Sequence, residues 1–188
     1  MSSPNYIGVL VREVLWDRVL PEQVFLRKPA VSLFFDGGLL ETEDFLEDMV
    51  GWSSSAFAEG DAVLAICARE GGRLLDADLF GLSKRSLSRD CGAAKNYWLS
   101  QLGVRSERTC VLFNKGMDWM LYEEELEDFG VLVLFTEHHS VTHGSEWFAF
   151  LRHFFTKFDI ESALVKGSGS NLSGIYTREF LTKLMANY

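Results

Sequence analysis

Apolar residues recur along this chain in two registers, and each register predicts a different kind of element. Phe45, Leu46, Met49 and Val50 fall on one face of a helix, with Thr42 in front of it as a candidate N-cap. The other face of that helix is acidic. From Ser86 to Leu102, the residues Leu87, Cys91, Ala94, Trp98 and Leu102 repeat at three- and four-residue intervals, predicting a helix that Gly103 would stop. The longest stripe lies in Ser145 to Phe158, where Trp147, Phe150, Leu151, Phe154, Phe155 and Phe158 occupy offsets 0, 3, 4, 7, 8 and 11 of a core-facing helix. A last helix is predicted near Thr177 to Asn187, with Phe180, Leu181, Leu184 and Met185 on its apolar side.

Shorter apolar runs bounded by turn residues predict strands. Val31 to Phe35 is closed by Asp36-Gly37-Gly38, and Ala62 to Ala68 lies between Asp61 and Gly71-Gly72. Thr109 to Phe113, a turn at Asn114-Lys115-Gly116, Trp119 to Tyr122, an acidic run and Val131 to Phe135 form a β-hairpin followed by a third antiparallel strand. A helix over Met117 to Phe129 between two parallel strands, giving a βαβ unit, is the competing arrangement. Tyr6 to Leu26 fits a strand or a helix equally well. Together these elements predict an α/β fold, mixed or α+β: one domain over residues 1–188, with a central, mostly antiparallel or mixed sheet packed by amphipathic helices. A chain of 188 residues with 47% hydrophobic content is long enough to bury such a core.

Charge and cysteine content narrow the function classes. A net charge of −9 argues against a nucleic-acid or anionic-membrane surface, where Lys and Arg supply most of the affinity. The one locally basic stretch runs from Ser83 to Arg108 and holds Lys84, Arg85, Arg89, Lys95, Arg105 and Arg108. No run approaches the roughly 18 consecutive apolar residues of a membrane span, and Met1 to Asn5 lacks the basic and apolar parts of a secretory signal. Cys67, Cys91 and Cys110 are widely spaced, without a C-x-x-C pair, and read as buried, reduced thiols of a cytoplasmic protein.

Catalytic patterns are incomplete, so no catalytic residue and no cofactor is expected. The chain has no G-x-S-x-G pentad, and Ser53-Ser54-Ser55 is read as the start of a loop. Glu137-His138-His139 and His143 would bring three imidazoles and a carboxylate together, but their spacing matches no H-E-x-x-H or finger pattern. They are read as a polar loop, without metal. Gly167 to Gly174 follows a predicted strand and precedes a helix, which would suit anion binding, but lacks both phosphate-loop spacings and is read as a mobile loop.

What stands out is the clustering of carboxylates. Glu41, Glu43, Asp44, Glu47 and Asp48 form one run, and Glu123, Glu124, Glu125, Glu127 and Asp128 another. Side by side they would make a surface of high negative potential, suited to fast capture of a basic partner. Taken singly, each is a solvated helix face or hairpin turn. Asn114 to Tyr122, with the acidic stretch and the strand that follow, resembles the hairpin of small bacterial immunity proteins of contact-dependent inhibition and other polymorphic toxin systems. The resemblance implies a non-catalytic, cytoplasmic protein that neutralises a cognate toxin, often a basic nuclease domain, in a tight one-to-one complex. Asp44, Glu47, Asp48, Glu124, Glu125 and Asp128 are the candidate contacts, with Trp119 and Tyr122 as hot spots; Trp119 equally fits a core position. Two other classes stay open: an enzyme using the His138/His139/His143 cluster with a metal, and a structural or assembly subunit.

Overall fold

A computed structural model of the chain describes residues 5–40, 43–101, 107–124, 129–136, 147, 150–166 and 171–188. The elements are α1 (Tyr6–Glu13), β1 (Val31–Asp36), α2 (Glu43–Ala56), β2 (Ala62–Glu70), β3 (Arg73–Leu82), α3 (Leu87–Ser100), β4 (Glu107–Asn114), β5 (Trp119–Glu124), β6 (Phe129–Leu134), α4 (Lys157–Lys166), α5 (Asn171–Ile175) and α6 (Arg178–Asn187). All strands join one sheet of order β1-β6-β5-β4-β2-β3, and every pairing in it is antiparallel. The fold is mixed α/β, as the hydrophobic registers predict. The hairpin and third antiparallel strand form as expected, so the βαβ arrangement is not the one adopted.

Helices cover both faces of the sheet. On one face α2, α3 and the helical residues Trp147, Phe150 and Leu151 pack against Leu33, Phe35, Leu64, Ile66, Leu112, Trp119, Leu121, Leu132 and Leu134. On the other, α1, α4 and α6 pack against Phe34, Val63, Ala65, Cys67, Val111, Phe113, Met120, Tyr122, Val131 and Val133. Successive side chains of a strand point to opposite faces. Strands with cover on both faces therefore bury every residue, and this is the state of β5 and β6. All three cysteines are buried and free of disulfides. Among the described residues no helix is long and apolar enough to cross a membrane.

Four regions depart from the sequence reading. The predicted helix to Phe158 stops at Leu151: Phe155 instead exchanges backbone hydrogen bonds with Phe34, at 2.9 and 2.6 Å, and Phe158 is 75% exposed. An exposed strand edge on β1 competes for those backbone groups and wins over the helical stripe. The strand expected ahead of the glycine-rich loop is helix α4, started by Thr156, whose amide and hydroxyl both donate to Asp159 Oδ2 at 2.8 and 2.6 Å. The end of that loop, Asn171 onward, is helix α5, and its start, residues 167–170, lies outside the described residues, as do Thr42 and Gly103. Ser53, Ser54 and Ser55 continue α2 rather than opening a loop.

Two further elements follow from local chemistry. The ambiguous N-terminal segment forms α1, capped by the Asn5 side chain accepting from the Gly8 amide at 2.9 Å, then extends so that Val14 pairs with Phe25. β3 has no counterpart among the elements the hydrophobic pattern predicts. Its hairpin with β2 turns on Gly71 and Gly72, both with positive φ (55° and 75°), the conformation a tight two-residue hairpin requires.

Candidate functional site

The acidic runs meet different fates, one on the surface of a helix and the other partly in the interior. On α2, Phe45, Leu46, Met49 and Val50 are all buried, and this rotation leaves Asp44 and Glu47 in solvent. Asp48 lies one residue round, where its Oδ2 accepts from Arg152 Nη2 at 2.8 Å and contacts His153 Nε2 at 2.7 Å. Neither Asp44 nor Glu47 has an ion-pair partner among the described residues.

Glu123 and Glu124 are interior groups, 6% and 3% exposed. Being adjacent on β5, they point to opposite faces of the sheet. Both carboxylate oxygens of Glu123 accept from the Leu39 amide, at 2.9 and 3.0 Å. Glu124 Oε2 accepts from the Leu20 amide at 3.0 Å, while its Oε1 pairs with Arg69 Nη2. Arg69 also donates through Nη1 to the Arg18 carbonyl and the Tyr122 hydroxyl, and its Nε stands 2.9 Å from the half-exposed Glu107. Burial raises the Tyr122 phenol well above its ordinary value, with the Glu124 charge adding to the shift.

The expected hot spots therefore correct to core positions. Trp119 and Tyr122 are 0% exposed, and Glu124 is sealed with Arg69, so none of the three presents a side chain to a partner. Trp119 instead donates from Nε1 to Ser53 Oγ at 3.0 Å and packs against Trp52 with centroids 5.8 Å apart. A strand clothed on both faces has no outward side, so the D-W-x-x-Y pattern reads as core once the sheet's cover is known. Glu125 and Asp128 lie outside the described residues, as do His138, His139 and His143, and no metal-holding cluster occurs among the described residues.

The structure brings the surface carboxylates of α2 to a cleft of about 660 Å³ between that helix and the start of α3. Val50, Trp52 and Leu87 contribute its apolar lining, Glu47 and Asp48 its acidic rim, and Lys84, Arg85 and Arg89 a facing basic rim. Arg89 is engaged by Asp90 at 3.0 Å, whereas Lys84 and Arg85 have no ion pair among the described residues. Ser86 precedes α3, and its hydroxyl donates to Asp90, which holds that carboxyl below its usual range; the Arg89 contact and charge act in the same direction. Beyond the Asp48–His153 contact lies a smaller cleft of about 360 Å³, bordered by Phe35, Asp36, Phe45 and Arg152. The sequence shows the basic stretch that supplies the second rim, but its position across from α2 depends on the β2–β3 hairpin that sequence reading missed.

No family model, curated protein or solved structure matches this chain.

Proposed function

We propose that this chain is a non-catalytic binding protein that neutralises a cognate protein toxin by forming a tight one-to-one complex, with α2 and the adjoining cleft as its docking surface. The observation that carries this is the open cleft with an apolar lining and two facing rims of opposite charge. Such a groove suits a protein surface that brings an apolar anchor flanked by both signs of charge. Asp44 and Glu47, exposed and without ion-pair partners among the described residues, can steer a basic surface of nuclease type toward the groove. Lys84 and Arg85 would then meet a carboxylate on the same partner and fix its orientation.

The test begins with capture from the native host on immobilised protein, eluted by a salt gradient. The expected product is one basic protein, bound one-to-one and released only at high salt, whose toxicity on expression is relieved by co-expressing this chain. Reversing charge at Asp44 and Glu47 together should slow association by about tenfold or more at low salt while leaving the melting temperature unchanged. A captured protein whose toxicity persists, or an association rate indifferent to those reversals, would overturn the proposal.

A further inference from the structure

The two edges of the sheet are treated differently. At β1 the edge is met by Phe155, through its paired hydrogen bonds to Phe34. At β3, the other end of the strand order, no described residue pairs with the outer edge. Leu75 is skipped in the register, since Ala68 faces Asp76 and Arg69 faces Leu74; beyond this bulge the strand runs regularly from Asp76 to Leu82.

The hydrogen bonding shows which groups that edge presents. The Ala77 amide donates to Asp76 Oδ1 at 2.8 Å, so it is turned away from β2. The alternation of an antiparallel ladder then turns the amides of Leu79 and Gly81 the same way. Side chains alternate as well. Leu79, 39% exposed, shares a face with Ala77, while Asp76 and Asp78 share the opposite face, where the Tyr97 hydroxyl donates to Asp78.

We infer that β3 from Asp76 to Leu82 is a docking edge for an extended strand of a partner protein, one with Lys or Arg facing Asp76 and Asp78 and apolar side chains beside Leu79. Backbone pairing supplies affinity and alternate side chains supply selectivity in this mode of recognition. A second copy of this chain would have to pair about Leu79 or beyond it, and a dimer of the chain found by sedimentation in place of peptide binding would overturn the inference. Two-fold antiparallel pairing centred anywhere from Asp76 to Asp78 sets carboxylate against carboxylate, which is destabilising. The Asp76 carboxylate occupies the Ala77 amide until an incoming carbonyl displaces it, and it keeps this edge from pairing indiscriminately. This surface is separate from the α2 cleft.

The test uses the full chain and two synthetic peptides of about ten residues, enough to span the strand: one alternating valine with lysine, the other valine with glutamate. The valine–lysine peptide should bind and slow hydrogen exchange at the Ala77, Leu79 and Gly81 amides by at least about tenfold, and the glutamate peptide should not. Leu79→Pro, which removes one outward amide but no bond to β2, should abolish binding with an unchanged circular dichroism spectrum. Asp76→Lys leaves the ladder intact and should shift preference toward the glutamate peptide, which decides the matter if the proline variant misfolds. Binding without protection of those amides would mark mere charge attraction to an acidic chain. That outcome, or a preference unmoved by Asp76→Lys, would overturn the inference.

Discussion

Replacing Glu124 with alanine should destabilise the protein by about 3–5 kcal/mol, the usual cost of stranding one member of a buried ion pair. Both side chains of the Arg69–Glu124 pair are only 4% exposed, so bulk water does not screen the pair. The Leu20 amide loses its acceptor in the same substitution, a loss worth about 1–3 kcal/mol for a buried donor. Glu107, 2.9 Å from Arg69 Nε and 56% exposed, still partners the guanidinium and holds the total inside that range. Against a typical stability of about 5–15 kcal/mol, the variant would be marginal at 37 °C. Urea unfolding followed by tryptophan fluorescence measures the effect, with Glu47→Ala as an exposed control expected within about 0.5 kcal/mol of wild type. Combining Arg69→Met with Glu124→Leu should recover only part of the loss, because no charge is then stranded but the Leu20 amide still lacks its acceptor. A cost below about 1 kcal/mol for Glu124→Ala would show that the carboxylate is solvated.

The remaining predictions bear on the core and its titration. Gly130→Ala should cost more than about 2 kcal/mol, because a Cβ there would strike the ring of Phe35, its partner across β1 and β6; Phe35→Leu in the same chain should relieve most of it, and equal stability of the single and double variants would refute the clash. Trp119→Phe replaces the indole with a smaller ring and deletes the bond to Ser53, so thermal melts should show a loss of at least about 1–2 kcal/mol. Burial, aided by the charge of Asp76, pushes the Cys67 thiol from 9.0 up to about 12. The native state then holds a proton that the unfolded chain releases, so the associated stability is complete below about pH 9 and is lost as the pH climbs toward 12. Tyr122 and Tyr188, both raised chiefly by burial, act in the same direction. Melting temperatures that hold steady through that alkaline range would contradict these placements.

Legibility in the sequence followed the strength of the local pattern. The α2 stripe and the Asn114 turn were readable because each depends on neighbours within one or two turns of chain. The Phe-rich stripe misled beyond Leu151 because Phe155 is claimed by an edge strand more than a hundred residues away in sequence, information no local window contains. Glu123 and Glu124 misled for a related reason. In a run of carboxylates nothing local marks the two that will meet Leu39, Leu20 and Arg69, and exposure is the usual state of such residues. β3 escaped notice because an edge strand with Asp76 and Asp78 in its middle lacks the clean alternation of a half-buried one. The cleft beside α2 depends on that strand, so its acidic rim was legible and its pairing with the basic rim was not.

The adjacent carboxylates of β5 also set an order of events during synthesis. Leu20 and Leu39 are fastened to acceptors 104 and 84 residues downstream, so the first forty residues leave the ribosome well before the groups that hold them exist. At about 5–20 residues per second, that interval lasts several seconds. The amino-terminal segment waits through it with Leu10, Val14, Trp16 and Phe25 uncovered, and only emergence of the central hairpin lets it close. Nascent chains stalled just short of Glu123 should therefore be open to proteases and to chaperone capture at their amino-terminal end, whereas chains released beyond β6 should resist both.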